Sequence, residues 1–269
     1  LEFLGYIAAV MIGVSLGMIG GGGSILTVPA LVYLVGTAPV LATAYSLFIV
    51  GSTSLVGGLQ KYFQGYVDVK NAVIFGIPSI IGVYITRKYI VTAIPEDLGM
   101  VLGIHLTKDI LIMLLFAVLM VLASVSMIRK GNGKSSGEGS SAKKWSKWSY
   151  LFITLEGLIV GTITGFVGAG GGFLIIPALV LLTGLPMKQA VGTSLIIIAA
   201  KSLLGFLGDI SNMEIDWTML GIFTLLSVGG IFLGNRLSKN VEGEKLKTAF
   251  GWFVLVMGVY IIARELMTA

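Results

Sequence analysis

Apolar residues fall in long, almost uncharged blocks at 40–59, 71–86, 110–128, 149–183, 190–208, 217–234 and 248–263, with the charged residues gathered in the connections. Each block approaches the roughly 20 residues that a helix needs to cross a hydrocarbon core of about 30 Å. No water reaches that depth, so every backbone amide must be paired internally. Blocks this long and this uniformly apolar are not the alternating strands of a barrel. The pattern predicts an all-α polytopic membrane protein.

Composition agrees with this reading. Of 269 residues, 56% are apolar and 12% charged, about half the charged share of a soluble chain. Cysteine is absent, which excludes disulfides, thiolate metal sites and cysteine nucleophiles. The single histidine, His105, lies between apolar blocks, reads as solvated or interfacial, and builds no metal site alone. No metal or cofactor is expected. Glu2 stands where a signal peptide would carry Lys or Arg, so the N-terminal segment reads as part of the membrane domain. The formal charge of +5 sits in the connections, where it reports orientation rather than nucleic-acid binding. The expected partners are the lipid bilayer and a small solute, with no nucleic acid.

Sliding the sequence on itself by 148 residues sets Gly17, Gly20, Gly22, Gly23, Pro29 and Ala30 on Gly165, Gly168, Gly170, Gly171, Pro177 and Ala178, and 19 of the 43 positions from Gly17 to Leu59 are identical without a gap. This is an internal duplication. The match runs on through Asp68 and Asp216, and through Gly82 and Gly230, after which the first half carries an insertion around 90–108. Residues 130–147, rich in Gly, Ser and Lys, read as a flexible cytoplasmic linker between repeats 1–129 and 148–269.

Each repeat opens on an apolar stretch of about 34 residues, interrupted by Gly20-Gly21-Gly22-Gly23-Ser24 or by Gly168-Ala169-Gly170-Gly171-Gly172. One helix of that length would run about 51 Å, well beyond a bilayer core. The glycines must break it, into either a kinked crossing or a re-entrant hairpin. Kinked crossings make the halves parallel and split the Lys and Arg residues nine to eight across the membrane. Hairpins leave three crossings per half, invert the second half, and make the split thirteen to four. The positive-inside rule selects the hairpins. The expected fold is two inverted repeats, each a Gly-broken re-entrant hairpin plus three transmembrane helices.

Irregular backbone at membrane depth is tolerated only where it faces protein or a watery cavity. In an inverted repeat the two breaks face each other near the midplane. The second arm of each hairpin, starting near Ile25 or Phe173, points unpaired N–H groups and the positive end of its dipole into the gap. Gly20, Gly21, Gly22, Gly23 and Ser24, with Gly168, Gly170, Gly171 and Gly172, are therefore expected to bind an anion; close helix packing is their plainer reading. No strand–turn–helix unit or Gly-Lys-Ser/Thr follows, so nucleotide binding is not indicated. The next helix adds Ser46, Thr53 and Gly57, which recur as Ser194, Lys201 and Gly205 at spacings that share one stripe. Thr193 precedes Ser194 as a further hydroxyl.

Lys201 is the twelfth residue of a span of about nineteen, where a lysine costs at least roughly 3 kcal/mol unless paired or hydrated. An anion in a cavity offsets that cost; snorkelling to an interface is the alternative. Glu156, in the first arm of the second hairpin, is a candidate partner or proton-coupling site, with a place near the headgroups as the alternative.

The duplicated Gly-x-Gly-Gly-Gly-x-x-x-x-Pro-Ala-Leu pattern, Gly168 to Leu179 in the second half, followed by Ala190-Val191-Gly192-Thr193-Ser194, resembles the sulfite exporter TauE/SafE family of membrane permeases. The likeness covers nearly the whole chain. It implies a bacterial or archaeal inner-membrane transporter of small sulfur-containing or organic anions, driven by the proton gradient. The first half departs, with Ala44-Tyr45-Ser46 in place of Gly-Thr-Ser and Thr53 in place of Lys201, so a symmetric site is not implied.

A small donor-rich site without an arginine clamp suits a compact oxyanion such as sulfite, thiosulfate, or a short sulfonate or carboxylate; it offers little to a cation. A secondary transporter working by alternating access is the leading expectation, and an anion channel lined by the same loops is the second. A membrane assembly factor or embedded enzyme is the third. One His, no Cys and no paired intramembrane carboxylates leave an enzyme without an acid–base or nucleophile constellation.

Overall fold

The computed structural model describes residues 2–101, 104–129, 147–210, 213–237 and 243–268. It opens with α1 (Glu2–Ile19), a 3-10 turn (Gly20–Leu26), α2 (Thr27–Ala30) and a π-type turn (Leu31–Val35). There follow α3 (Pro39–Phe63) and α4 (Val69–Ile85), which continues through a π-type turn (Thr86–Ile90) into α5 (Val91–Ala93). After β1 (Asp97–Val101) and β2 (Ile104–Thr107) come α6 (Lys108–Arg129), α7 (Lys147–Val167), α8 (Gly172–Thr183), α9 (Met187–Phe206), α10 (Trp217–Leu237) and α11 (Gly243–Thr268). The expected linker lies outside the described residues except for Lys147, which already belongs to α7.

Among the described residues seven segments are long and apolar enough to cross a membrane: Leu4–Val35, Pro39–Phe63, Val69–Ala93, Lys108–Val125, Met187–Phe206, Trp217–Leu237 and Thr248–Met267. Large apolar side chains such as Ile77, Leu122, Leu225 and Val256 point outward, whereas Ser46, Thr53, Ser194 and Lys201 are fully enclosed. That polarity is the reverse of a water-soluble fold, where such an apolar surface would drive association. Local signals set the helix ends. Pro39 opens α3 in the first turn, where its missing N–H costs nothing, and Asp68 caps α4 by accepting from the Asn71 N–H at 2.9 Å.

The first segment does not run straight. Gly5, near its start, lies against Val35 at its end, and Gly23 lies against Ser15 and Leu16, so the chain returns along α1 after the glycines. In the second half, Ile153 and Val160 of α7 share a core with Ile175, Ile176 and Leu179 of α8.

Small residues then set how the helices pair, by letting backbones approach. Helix α1 lies parallel to α10, with Gly13 on Ser227 and Gly17 on Ile231; its counterpart α7 lies parallel to α4, with Gly157 on Phe75 and Gly161 on Ser79. Each half thus lends its first helix to the other. The counterparts α3 and α9 cross antiparallel, Gly51 against Leu203 and Gly58 against Ile196, and α6 and α11 do the same, Gly251 against Met127 and Gly258 against Met120.

The insertion departs from the all-helical expectation. Strands β1 and β2 pair antiparallel, with Met100 opposite His105. Pro95 cannot continue a helix and pushes the residue before it into extended backbone, Ile94 having ψ 124°. His105 is half exposed, its Nε2 3.4 Å from Asp97.

Candidate functional site

Both glycine breaks are buried, and they touch. Gly168, Gly170 and Gly171 take φ values of 68, 63 and 68°, a left-handed run that opens the chain between α7 and α8. Gly20–Leu26 winds instead as a 3-10 turn, so the first break is the tighter one. A side chain at Gly172 would begin 2.1 Å from the Cα of Gly21, so the two backbones are in direct contact. Gly170 lies against Val50, Ile198 and Ser24, while Gly20 lies against Val191, Gly22 against Ile19 and Gly168 against Thr43.

Beside this contact lies Lys201, wholly buried on α9. Its ammonium donates to Thr164 Oγ1 at 2.8 Å. The Thr164 hydroxyl itself donates to the Val160 carbonyl at 2.7 Å, which turns a lone pair to the lysine. Among the described residues no carboxylate forms an ion pair with Lys201. Gly171 borders the same spot, since a Cβ there would meet the ammonium nitrogen at 2.8 Å. The amides of Leu174 and Ile175 donate to the Gly171 carbonyl at 3.0 and 3.1 Å. That leaves the Gly172 and Phe173 amides ahead of the hydrogen-bonded ladder of α8. The positive end of α8 and the lysine charge therefore converge.

The hydroxyls divide into two groups. Ser46, Thr53, Ser54 and Ser202 are buried, and among the described residues their oxygens have no partner. In the register set by Gly51 on Leu203 and Gly58 on Ile196, Thr53 stands level with Lys201, its counterpart in the duplication. Ser24 and Ser194 instead donate to the carbonyls of Gly21 and Val191, at 2.7 and 2.8 Å. Thr193, near the start of α9, accepts from the Asp68 N–H at 2.9 Å and keeps its own proton to give. Glu156 is half-buried, with one oxygen enclosed and unpartnered. It lies two turns, about 12 Å, along α7 from Thr164 and is not brought to Lys201.

Two features escaped the sequence reading. One is Thr164, a threonine inside an apolar block and so without a signal of its own. The other is a buried ion pair: Arg87 Nε lies 3.1 Å from Asp209 Oδ2, both side chains almost wholly enclosed. Arg87 Nη2 donates to Thr43 Oγ1 at 3.0 Å. A cavity of about 500 Å³ borders this pair.

The family model for the sulfite exporter TauE/SafE matches residues 5–261. The chain belongs to the TauE/SafE family. This TauE/SafE chain is 30% identical to a "Probable membrane transporter protein" of Xylella fastidiosa (strain 9a5c), over 95% of this chain and 92% of the relative. It is 24% identical to the "Probable membrane transporter protein YunE" of Bacillus subtilis (strain 168), over 96% and 95% of the two chains. A shorter match, 31% over 117 residues, joins 40% of it to 43% of the "Probable membrane transporter protein MJ0441" of Methanocaldococcus jannaschii. No solved structure matches at a significant level. TauE/SafE membership and seven apolar segments make this a multi-pass membrane transporter.

Proposed function

We propose that this TauE/SafE protein is a secondary carrier that moves a small oxyanion across an inner membrane by alternating access, coupled to the proton gradient. One observation carries the reading: the ammonium of Lys201 and the positive end of α8 meet in a buried place where, among the described residues, no carboxylate pairs with the lysine. Two like charges out of water repel, and an anion between them satisfies both. The backbone of Gly20–Ser24 and of Gly168 and Gly170–Gly172 supplies neutral donors, and Ser46 and Thr53 bring hydroxyls that have no other partner. Thr193 and Ser194 lie about 10 Å along α9 from Lys201, on the path to the end of the molecule that holds Asp68.

The two halves are, in this reading, inverted across the membrane. Antiparallel crossing of α3 with α9 and of α6 with α11 supports it, as does the thirteen-to-four distribution of basic residues. Sulfite, thiosulfate and short sulfonates fit the donor set and accord with the family's description.

Proteoliposomes with an imposed pH gradient test the function. Flux of sulfite, thiosulfate, sulfoacetate and sulfate is compared with that of sodium and an amine. Anion movement with counterflow is expected, the counterflow separating a carrier from a channel. Movement of the cations alone, unaffected by any anion, overturns the proposal.

A further inference from the structure

Among the described residues Lys201 is one of two cations that are almost wholly enclosed, Lys108 being a little more open. The other, Arg87, sits where α4 runs into its terminal turn, paired with Asp209 just beyond α9. Taking both charges out of water costs several kcal/mol per ion unless geometry and further hydrogen bonds repay it. The repayment is incomplete: Arg87 Nη1 is buried with no partner among the described residues. The pair borders a cavity of about 500 Å³ whose other charged lining residues are Glu96, Lys108, Asp109 and Glu214.

Those neighbours are occupied or turned away. Lys108 reaches Glu96 at 3.4 Å, Asp109 accepts from the Val40 N–H at 3.2 Å, and Glu214 is exposed. Lys88, beside Arg87 in sequence, turns its ammonium to the Tyr84 hydroxyl at 3.3 Å. On its inner side Arg87 holds Thr43, and Thr43 lies against Gly168, the first residue of the second glycine break. One residue thus separates the cavity pair from the loop that leads to Lys201.

We propose that Arg87 and Asp209 form a proton-operated anion latch at the mouth of the pathway. A proton from the cavity neutralises the Asp209 carboxylate, the Arg87 guanidinium stays cationic, and its charge passes from Asp209 to an incoming oxyanion. One proton enters with each negative charge that Arg87 takes, so the pair's own charge is conserved. The latch rests on the carrier reading above and gives its coupling a place other than Glu156. Burial pushes the Asp209 carboxyl up to about 6, against the opposing pull of Arg87, so the step falls within a physiological pH range.

The test uses the full chain in proteoliposomes with thiosulfate, which does not itself titrate near neutrality. Two rates are read: accumulation driven by an imposed pH gradient, and tracer exchange at equal pH on both sides between pH 5 and 8. Wild type should accumulate, with exchange rising on acidification. Asp209→Asn, which mimics the protonated acid, should keep exchange, lose its pH dependence, and lose gradient-driven accumulation at least tenfold. Asp209→Glu should restore accumulation with a displaced midpoint. Should Asp209→Asn fail to insert, the neutral pair Arg87→Gln with Asp209→Asn serves, and must show neither accumulation nor pH dependence. Accumulation with a wild-type pH profile in either variant overturns the latch, as does uncoupling by Glu156→Gln but not by Asp209→Asn. Wild-type exchange without gradient-driven accumulation also overturns it. If wild type moves no anion at all, the carrier reading falls and the latch falls with it.

Discussion

The Asp68 N–H donates to the Thr193 hydroxyl at 2.9 Å, and 148 residues further on the Asp216 N–H donates to the Tyr45 hydroxyl at 2.7 Å. Positions 45 and 193 correspond in the duplication, so one cross-half tie is made twice, with a different hydroxyl each time. Both aspartates also cap the helix that follows, Asp68 through Asn71 and Asp216 through Thr218 and Met219. Removing either acceptor leaves the amide without its partner across the halves. Thr193→Val and Tyr45→Phe should therefore each lower stability by about 1 kcal/mol, read as the thermal midpoint in detergent. A drop in only one of them would show that the two ties are not equivalent.

Lys201→Met removes the charge and keeps the apolar stem. Because among the described residues Thr164 alone holds the lysine, the variant should be at least as stable as wild type, while anion exchange falls to background. Lys201→Arg should be partly active, since a planar fork replaces a compact ammonium beside Thr164 and Gly171. Wild-type exchange by the Met variant at equal expression would remove Lys201 from the site.

Gly172→Ala is a test of the contact between the loops. Its new methyl would start 2.1 Å from Gly21 Cα, a backbone atom that cannot swing aside, so insertion or exchange should fail. Gly36→Ala is the control for backbone strain without a close neighbour: φ is 81° there, unlike at Gly172, and the space around it is open. It should cost about 1 to 2 kcal/mol of backbone strain and leave exchange intact. Equal effects from both would show that the loop contact costs no more than ordinary backbone strain.

The duplication and the glycine breaks were legible because each is a local pattern: a fixed offset, and a helix too long for a bilayer. The insertion was legible as an insertion, but its strands form only after Pro95 interrupts the helical run, and nothing in 90–108 alternates cleanly. Arg87 reads in sequence as one more cation following an apolar block. Its partner lies more than a hundred positions away, and only the packing of α4 on α9 brings Asp209 against it. Helical spacing likewise shows that Ser46 and Thr53 share a stripe, but not that neither finds a partner among the described residues.

The orientation of the halves is open to chemical labelling, because the chain has no native cysteine. Tyr33 donates to Glu265 at 2.8 Å and the Val40 N–H donates to Asp109 at 3.2 Å, which gathers the first hairpin's end, α6 and α11 at one end of the molecule with Arg87. Lys88→Cys, exposed at that end, should react with an impermeant maleimide added outside intact cells. Gln64→Cys, exposed at the far end of α3, should react only after permeabilisation, as should Ser140→Cys. The opposite pattern would reverse the membrane orientation, and reaction of all three from outside would defeat the inverted arrangement.

Arg87 has Asn235 as its counterpart in the duplication, and Asp209 has Lys61, so the acid of the buried pair exists in one copy only. At the other end Asn235 donates to the Gln60 side chain at 2.6 Å, a bond between two amides that no proton can switch. A chain made from two similar halves is thereby unlike at its two mouths. Acidity on one face reaches the Arg87–Asp209 pair, whereas on the other the counterpart of Arg87 is bonded amide to amide. Equal solutions on both sides give no net flux, but under equal and opposite solute gradients the two directions would run at different rates, set by the pH of a single face.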